Sequence, residues 1–135
     1  SRASVDRISC DGTLTTIIVD EERVPLDMGR DKRLFPPHLR KALYLRDQGC
    51  IKCGAPAGRT HAHHIRHWSH GGETSLDNGC LLCPGCHADI HHNGWDVVIG
   101  IDRHPWLIPP TSVDPHRRPL PAHNRRTMRL DTAAA

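Results

Sequence analysis

Apolar and polar positions alternate over the first 30 residues. Val5 to Cys10, Leu14 to Val19 and Val24 to Met28 read as short strands, separated by Asp11-Gly12 and the acidic turn Asp20-Glu21-Glu22. They predict a small β appendage over residues 1–30 that carries no catalytic constellation. The period changes after Pro36-Pro37, where Leu39, Ala42, Leu43 and Arg46 follow helical spacing until Gly49 stops them just before Cys50. Thr60 to His64 predicts a short strand and Cys80-Leu81-Leu82 a brief apolar one. Pro84 opens a helix running to about His92, which Asn93-Gly94 ends. Between the strands, Arg66 to Asn78 is too polar for a regular element, and a long loop inside a small domain is usually functional. Trp95 to Ile101 and Trp106 to Ile108 predict a closing hairpin. From Pro109 onward, five Pro and five Arg among few apolar residues predict a disordered basic tail over residues 111–135. Residues 31–110 remain as the main domain.

Composition makes that domain thin in the core. The chain has 135 residues, 37% of them hydrophobic, with one Phe, one Tyr and three Trp. So small an apolar interior needs a further constraint. Six cysteines could form disulfides, but two C-x2-C pairs with histidines between them fit metal better, which predicts a reduced, cytoplasmic chain. No run of 18 apolar residues predicts a membrane span, and Ser1-Arg2-Ala3-Ser4 resembles no signal peptide. The absent initiating Met leaves room for a longer parent protein. Formal charge is +3, but residues 1–30 hold four Arg and six acids, a net of −2, so residues 31–135 carry +5. The basic excess lies with and after the histidines, as a polyanionic ligand requires.

Two metal sets follow from spacing. Cys50-x2-Cys53 and Cys83-x2-Cys86 offer four thiols for a closed tetrahedral zinc, with S ligands at ~2.3 Å. The helix start at Cys83 favours thiolates there. Reduced core cysteines are the plainer alternative, and Cys80, Cys83 and Cys86 also have iron–sulfur spacing. Alternation in the Gly79–Leu82 strand puts Cys80 on the face of Leu82, in the core, so Cys80 and Cys10 are read as non-ligands. His87 and His91, four apart on one helix, face one ion. Adjacent Cys86 and His87 diverge by roughly 100°, so the thiol and imidazole ions are separate. His63 supplies a third imidazole from its strand. His64, facing the other way, is left to act as a base with an ordinary pKa of ~6.5. In a chain with 12 histidines, such a cluster also fits a second structural metal, and Asn78-Gly79 also fits a plain turn.

The order of these motifs carries a resemblance. Cys50-x2-Cys53, Ala62-His63-His64-Ile65, Gly71-Gly72, Leu76-Asp77-Asn78, Leu81-Leu82-Cys83-x2-Cys86-His87 and Ile90-His91 resemble the HNH endonuclease family, whose fold is the ββα-metal motif. The stretch from Gly29-Arg30 through Trp106 is also similar to the actinobacterial 13E12-repeat HNH proteins, which often carry a helical region ahead of this one. The resemblance implies an α+β class, with a small treble-clef-like ββα-metal domain behind the N-terminal β appendage. It implies His64 as general base, Asn78 pinning the long loop and so orienting His64, and His87 on the metal. His63 and His91 match the additional ligands of colicin-type sites. The implied activity is metal-dependent hydrolysis of DNA phosphodiester bonds, leaving 5′-phosphate and 3′-hydroxyl ends, with structural Zn2+ and a catalytic Mg2+, Mn2+, Ni2+ or Zn2+.

Arg66 and His67 directly follow the base, and Arg59, Arg46 and Arg40 lie in flanking elements, so these are the candidates for gripping DNA phosphates. Trp68 is expected to pack the loop down. Arg117-Arg118, Arg125-Arg126 and Arg129 of the tail are candidates for non-specific affinity. No helix with its own framework reads bases, which predicts weak sequence preference. A monomer would nick one strand, and a double-strand break would need two copies or two visits. The competing readings are a non-catalytic zinc-scaffold DNA-binding module, which needs no His64, and a metal-storage protein, which explains neither Asn78 nor the basic loop.

Overall fold

The computed structural model describes residues 27–30 and 33–127, with side chains through residue 125. The strands expected over residues 5–26 lie outside the described residues. Asp27 makes an isolated antiparallel bridge with Ser75.

Helix α1 spans Pro37–Asp47, with proline at its first turn. It ends where Gln48 takes a left-handed φ of 57° and returns its N–H to the Tyr44 carbonyl at 2.8 Å. Leu39, Leu43 and Asp47 recur every four residues, so the buried stripe holds two leucines and then a carboxylate. Strand β1, His61–His64, pairs antiparallel with β2, Gly79–Leu82, with His61 opposite Leu82 and His64 opposite Gly79.

A two-stranded sheet leaves β2 with an open outer edge, whose polar groups need partners once buried. The end of α1 closes that edge. The Asp47 carboxylate accepts the Leu81 N–H at 2.9 Å, and the Gly79 carbonyl accepts from the Arg46 guanidinium at 2.6 Å. The knuckle after α1 adds the Ile51 N–H, donated to the Leu81 carbonyl at 3.0 Å. That knuckle is tight: Cys50 N–H donates to Ala55 O and Gly54 N–H to Cys50 O, both at 2.9 Å. Gly49 has φ 145°, and a Cβ there would lie 2.5 Å from the Ala55 carbonyl oxygen, so only glycine fits.

Helix α2, Pro84–His92, again begins with proline, after Cys83 as its cap residue. A second sheet then forms from β3 (Asp96–Ile99), β4 (Pro105–Ile108) and β5 (Leu120–Pro121), in that order and antiparallel throughout. Ile51, Cys80, Leu82, Val97, Leu107 and Ala122 pack in one core cluster with Cys50 and Cys86, so the apolar interior borders the thiols directly. The mixed helix-and-strand class and the elements expected around both C-x2-C pairs are present.

The segment after Pro110 corrects the expectation of a disordered tail as far as residue 127. β5 adds to β4, Ala122 is buried, and a short helix α3 covers His123–Thr127. His123 N–H donates to the Ile51 carbonyl at 2.7 Å, and the Asn124 amide donates to the Asp47 carbonyl at 3.0 Å. Three of the five arginines that suggested disorder find acidic partners, Arg117 with Asp96, Arg118 with the nearby Asp114 and Arg125 with Asp102, while the side chains of Arg126 and Arg129 lie outside those described. Long-range charge pairing and an edge strand order a segment whose composition lacks apolar weight. Composition reports none of those partners.

Arg46 and Asp47 are nearly sealed, with side-chain exposures of 8% and 0%. Replacing Asp47 by alanine is expected to leave the buried Arg46 guanidinium without its counter-ion and the Leu81 N–H unpaired, costing about 3–5 kcal/mol in urea unfolding under excess zinc. A cost under about 1 kcal/mol would show that β2 does not depend on this cap.

Candidate functional site

Cys50 and Cys53 come from the knuckle, and Cys83 and Cys86 from the start of α2. Their four sulfurs all lie within 4.8 Å of one another, with Cys53 and Cys83 Sγ 3.6 Å apart. Cys50 and Cys86 are buried, while Cys53 is exposed. The thiols divide electrostatically. Burial works against ionisation of Cys83, but the Cys86 N–H and the neighbouring thiols outweigh it and bring Cys83 down to about 7. Burial, then Cys83, push Cys86 far up, and burial raises Cys53 as well. Within the cluster Cys83 is thus the thiol most readily ionised, beside the raised Cys86 and Cys53. Cys80 lies outside the set, fully buried in β2, with its thiol raised well above the ordinary value by burial.

The second set lies on the other side of α2's first turn. His63 points inward from β1 and is buried, while His87 and His91 project from α2 one turn apart. One ring nitrogen from each falls within 4.8 Å of the others, and the two Nε2 atoms on the helix are 3.1 Å apart. Burial, followed by the charges of His87 and His91, lowers His63 to about 4. Burial and His91 lower His87. Neutral imidazoles with available lone pairs are what a metal requires.

His64 faces away from that set, as strand alternation dictates. Its Nε2 meets Thr74 Oγ1 at 2.9 Å, and the rings of Phe35 and Trp68 pack against it at centroid distances of 4.5 and 6.0 Å. Burial lowers its pKa, helped by His67, Arg33 and Arg30, so the ring is held neutral.

The loop between β1 and β2 is clamped by Asn78. Its Oδ1 accepts the Arg66 N–H at 2.8 Å, and its Nδ2 donates to the carbonyls of Arg66 at 3.1 Å and Glu73 at 2.6 Å. Its own carbonyl accepts the Ile65 N–H at 2.9 Å, which secures the residue next to His64. Gly72 lets the loop close on itself, since a Cβ there would sit 1.7 Å from the Arg66 carbonyl oxygen. Arg30 pins the rim: its Nη1 donates to the carbonyls of Trp68 and Gly72 at 2.9 Å, with the guanidinium 4.0 Å from the Trp68 ring centre.

Of the basic residues expected to meet DNA, Arg66, His67 and Arg59 are exposed. Arg66 Nε turns back to the His70 carbonyl at 3.0 Å, and the His67 ring lies 6.2 Å from that of His91. Arg46 is a correction. Its side chain is buried and its donors go to Asp47, Leu76 O and Gly79 O, so it braces β2 rather than facing a ligand. Arg40 donates to the Thr60 carbonyl at 2.6 Å. Sequence reading missed Thr74, Arg30 and Phe35 around His64. None lies at a recognisable spacing, and each reaches the histidine or its loop only through folding.

A family model described as HNH endonuclease matches residues 50–93. An uncharacterized protein of Mycobacterium tuberculosis is 31% identical over 97 residues, which is 70% of this chain and 21% of that protein. An uncharacterized protein of Mycobacterium bovis matches with the same identity and coverage. Anaredoxin of Nostoc sp. is 33% identical over 42 residues, covering 31% of this chain and 55% of its own length. The chain spans 21% of the length of these mycobacterial relatives. No solved structure matches. Residues 50–93, which hold both thiol pairs, the imidazole set, His64 and Asn78, are therefore an HNH domain.

Proposed function

We propose that this chain is a metal-dependent endonuclease that hydrolyses DNA phosphodiester bonds, with His64 activating water. The observation that carries this reading is the split on β1: His63 joins His87 and His91, while His64 stands outside both metal-type sets as a neutral, half-buried ring. A purely structural metal site has no use for that second histidine.

The donor chemistry fits two different ions. Four thiols bordering the core suit a closed structural zinc on Cys50, Cys53, Cys83 and Cys86, whose charge would offset the burial that raises Cys86 and Cys53. Three clustered imidazoles, with His91 exposed, suit a divalent ion on His63, His87 and His91 with a side open to substrate. The chemistry such an ion supplies when bound is charge neutralisation at a phosphate oxygen and at the departing 3′ oxygen.

The remaining work belongs to the chain. His64 accepts the proton of the attacking water, and its lowered pKa keeps it in the accepting form at neutral pH. Asn78 holds the backbone on both sides of the loop, so the histidine keeps its direction when the loop meets a polyanion. Arg66 and His67, exposed beside the two histidines, are placed to contact flanking phosphates. Arg59 offers a further exposed positive charge. Nothing in these contacts reads bases, so we infer weak sequence preference. Among the described residues no helix is long and apolar enough to cross a membrane.

Three outcomes test this. EDTA-stripped protein given Mg2+, Mn2+, Ni2+ or Zn2+ is expected to convert supercoiled plasmid to nicked circles only with added metal. Binding without cleavage under every metal would favour the DNA-binding module instead. His64→Ala is expected to keep its metal content while cleavage falls by ~10² to 10⁴-fold. Equal cleavage by parent and variant would remove His64 from the chemistry. Cys53→Ser is expected to lose thiol-held zinc and to melt far lower, because structural zinc supplies on the order of 10 kcal/mol of apparent folding energy. An unchanged melting curve would refute the structural role.

A further inference from the structure

Thr74 is wholly buried, yet its hydroxyl meets polar atoms from two distant parts of the chain: His64 Nε2 at 2.9 Å and the Arg33 carbonyl oxygen at 3.3 Å. Its backbone is held as firmly. Thr74 N–H donates to Gly29 O, and Met28 N–H donates to Thr74 O, both at 2.8 Å. This backbone pairing fixes the point from which the hydroxyl reaches both neighbours.

A hydroxyl has one hydrogen to give, and a carbonyl oxygen can only accept. When the hydrogen goes to Arg33 O, the hydroxyl oxygen turns its lone pairs toward Nε2, and a bond forms there only if Nε2 itself carries a proton. The reverse arrangement, with Thr74 donating to a bare Nε2, withdraws the hydroxyl donor from the Arg33 carbonyl. Two hydrogen bonds are made in the first arrangement and one in the second. The arrangement with the additional hydrogen bond is the favoured one.

We propose that Thr74 is a positioning residue for His64: its hydroxyl, committed to the Arg33 carbonyl, selects the Nε2–H tautomer and leaves the lone pair on Nδ1. Among the described residues no hydrogen bond occupies Nδ1, and Nδ1 is not sealed from solvent without a partner. The packing of Phe35 and Trp68 against the ring opposes a flip that would exchange the two nitrogens. The consequence for catalysis, a lone pair aimed at water before substrate arrives, rests on the reading of His64 as base. The tautomer itself does not.

The test is a long-range 15N–1H correlation spectrum of the full chain labelled with 15N-histidine, with the His64 signals identified by their loss in His64→Gln. The parent and Thr74→Ser are expected to show the Nε2–H pattern. Thr74→Val, close in shape but lacking the hydroxyl, is expected to move His64 toward Nδ1–H and to lower kcat for plasmid nicking by ~10 to 10²-fold with KM unchanged. A parent ring in the Nδ1–H form overturns the proposal, and so does a Thr74→Val ring that keeps the parent tautomer. If Thr74→Val fails to fold, the parent spectrum and the agreement of Thr74→Ser with it still decide the matter. A parent that carries the Nε2–H tautomer, lost in Thr74→Val, but never cuts DNA supports Thr74 and counts against the endonuclease reading alone.

Discussion

Strand β2 is held on its outer edge by the buried Arg46–Asp47 pair and the knuckle that follows it, and most of the domain hangs from that strand. One edge of β2 carries β1, with His63 and His64 on it. The other is closed by Asp47 on the Leu81 N–H, by Arg46 on the Gly79 carbonyl and by the cysteine knuckle through Ile51. Burial pushes the Asp47 carboxyl up, while Arg46 and the Leu81 N–H pull the other way. Buried ion pairs of this kind add little net stability compared with apolar replacements, but they tolerate few alternative geometries. Here the pair connects α1, the loop end at Leu76 and β2, so the knuckle thiols and the strand bearing His63 keep a constant relation.

From that frame the two metal-type sets separate by elementary periodicity. The 3.6-residue turn sends Cys86 and His87 in different directions from adjacent positions, and the two-residue strand repeat does the same for His63 and His64. Burial acts on both sets by disfavouring charge, with opposite chemical results. It favours the neutral, lone-pair-bearing form of His63 and His87, with His63 down to about 4, while it favours the protonated form of Cys53 and Cys86. The thiols must therefore give up protons to a cation, whereas His63 and His87 need not. That asymmetry suits one ion that closes a core and another that faces a substrate.

The elements of this domain were legible where their signals are local. Pro37 and Pro84 mark helix starts because proline's missing N–H costs nothing in a first turn, and both helices begin there. The C-x2-C pairs, the His87–His91 repeat and the alternation of His63 with His64 are statements about neighbours in sequence, so their relative directions follow from backbone geometry. The residues after Pro110 were misread because their order comes from partners far away: Asp96 for Arg117, Asp102 for Arg125 and the Ile51 carbonyl for His123. Arg46 was misread for the same reason. A cation on a helix resembles any other until its carbonyl partners are known.

By itself the sequence determined the candidate C-x2-C pairs, the His87 and His91 repeat and the helix and strand that present them, because each depends on spacings of four residues or fewer, while the fold brought the two thiol pairs together and His63 to the helix. Only the tertiary structure decided which groups surround His64. Thr74 is ten residues away, Arg33 belongs to the segment before α1, and Arg30 pins a loop more than 35 residues downstream. Those contacts are made by chain closure around buried polar atoms, and hydrogen-bond satisfaction in an interior is a property of the folded whole.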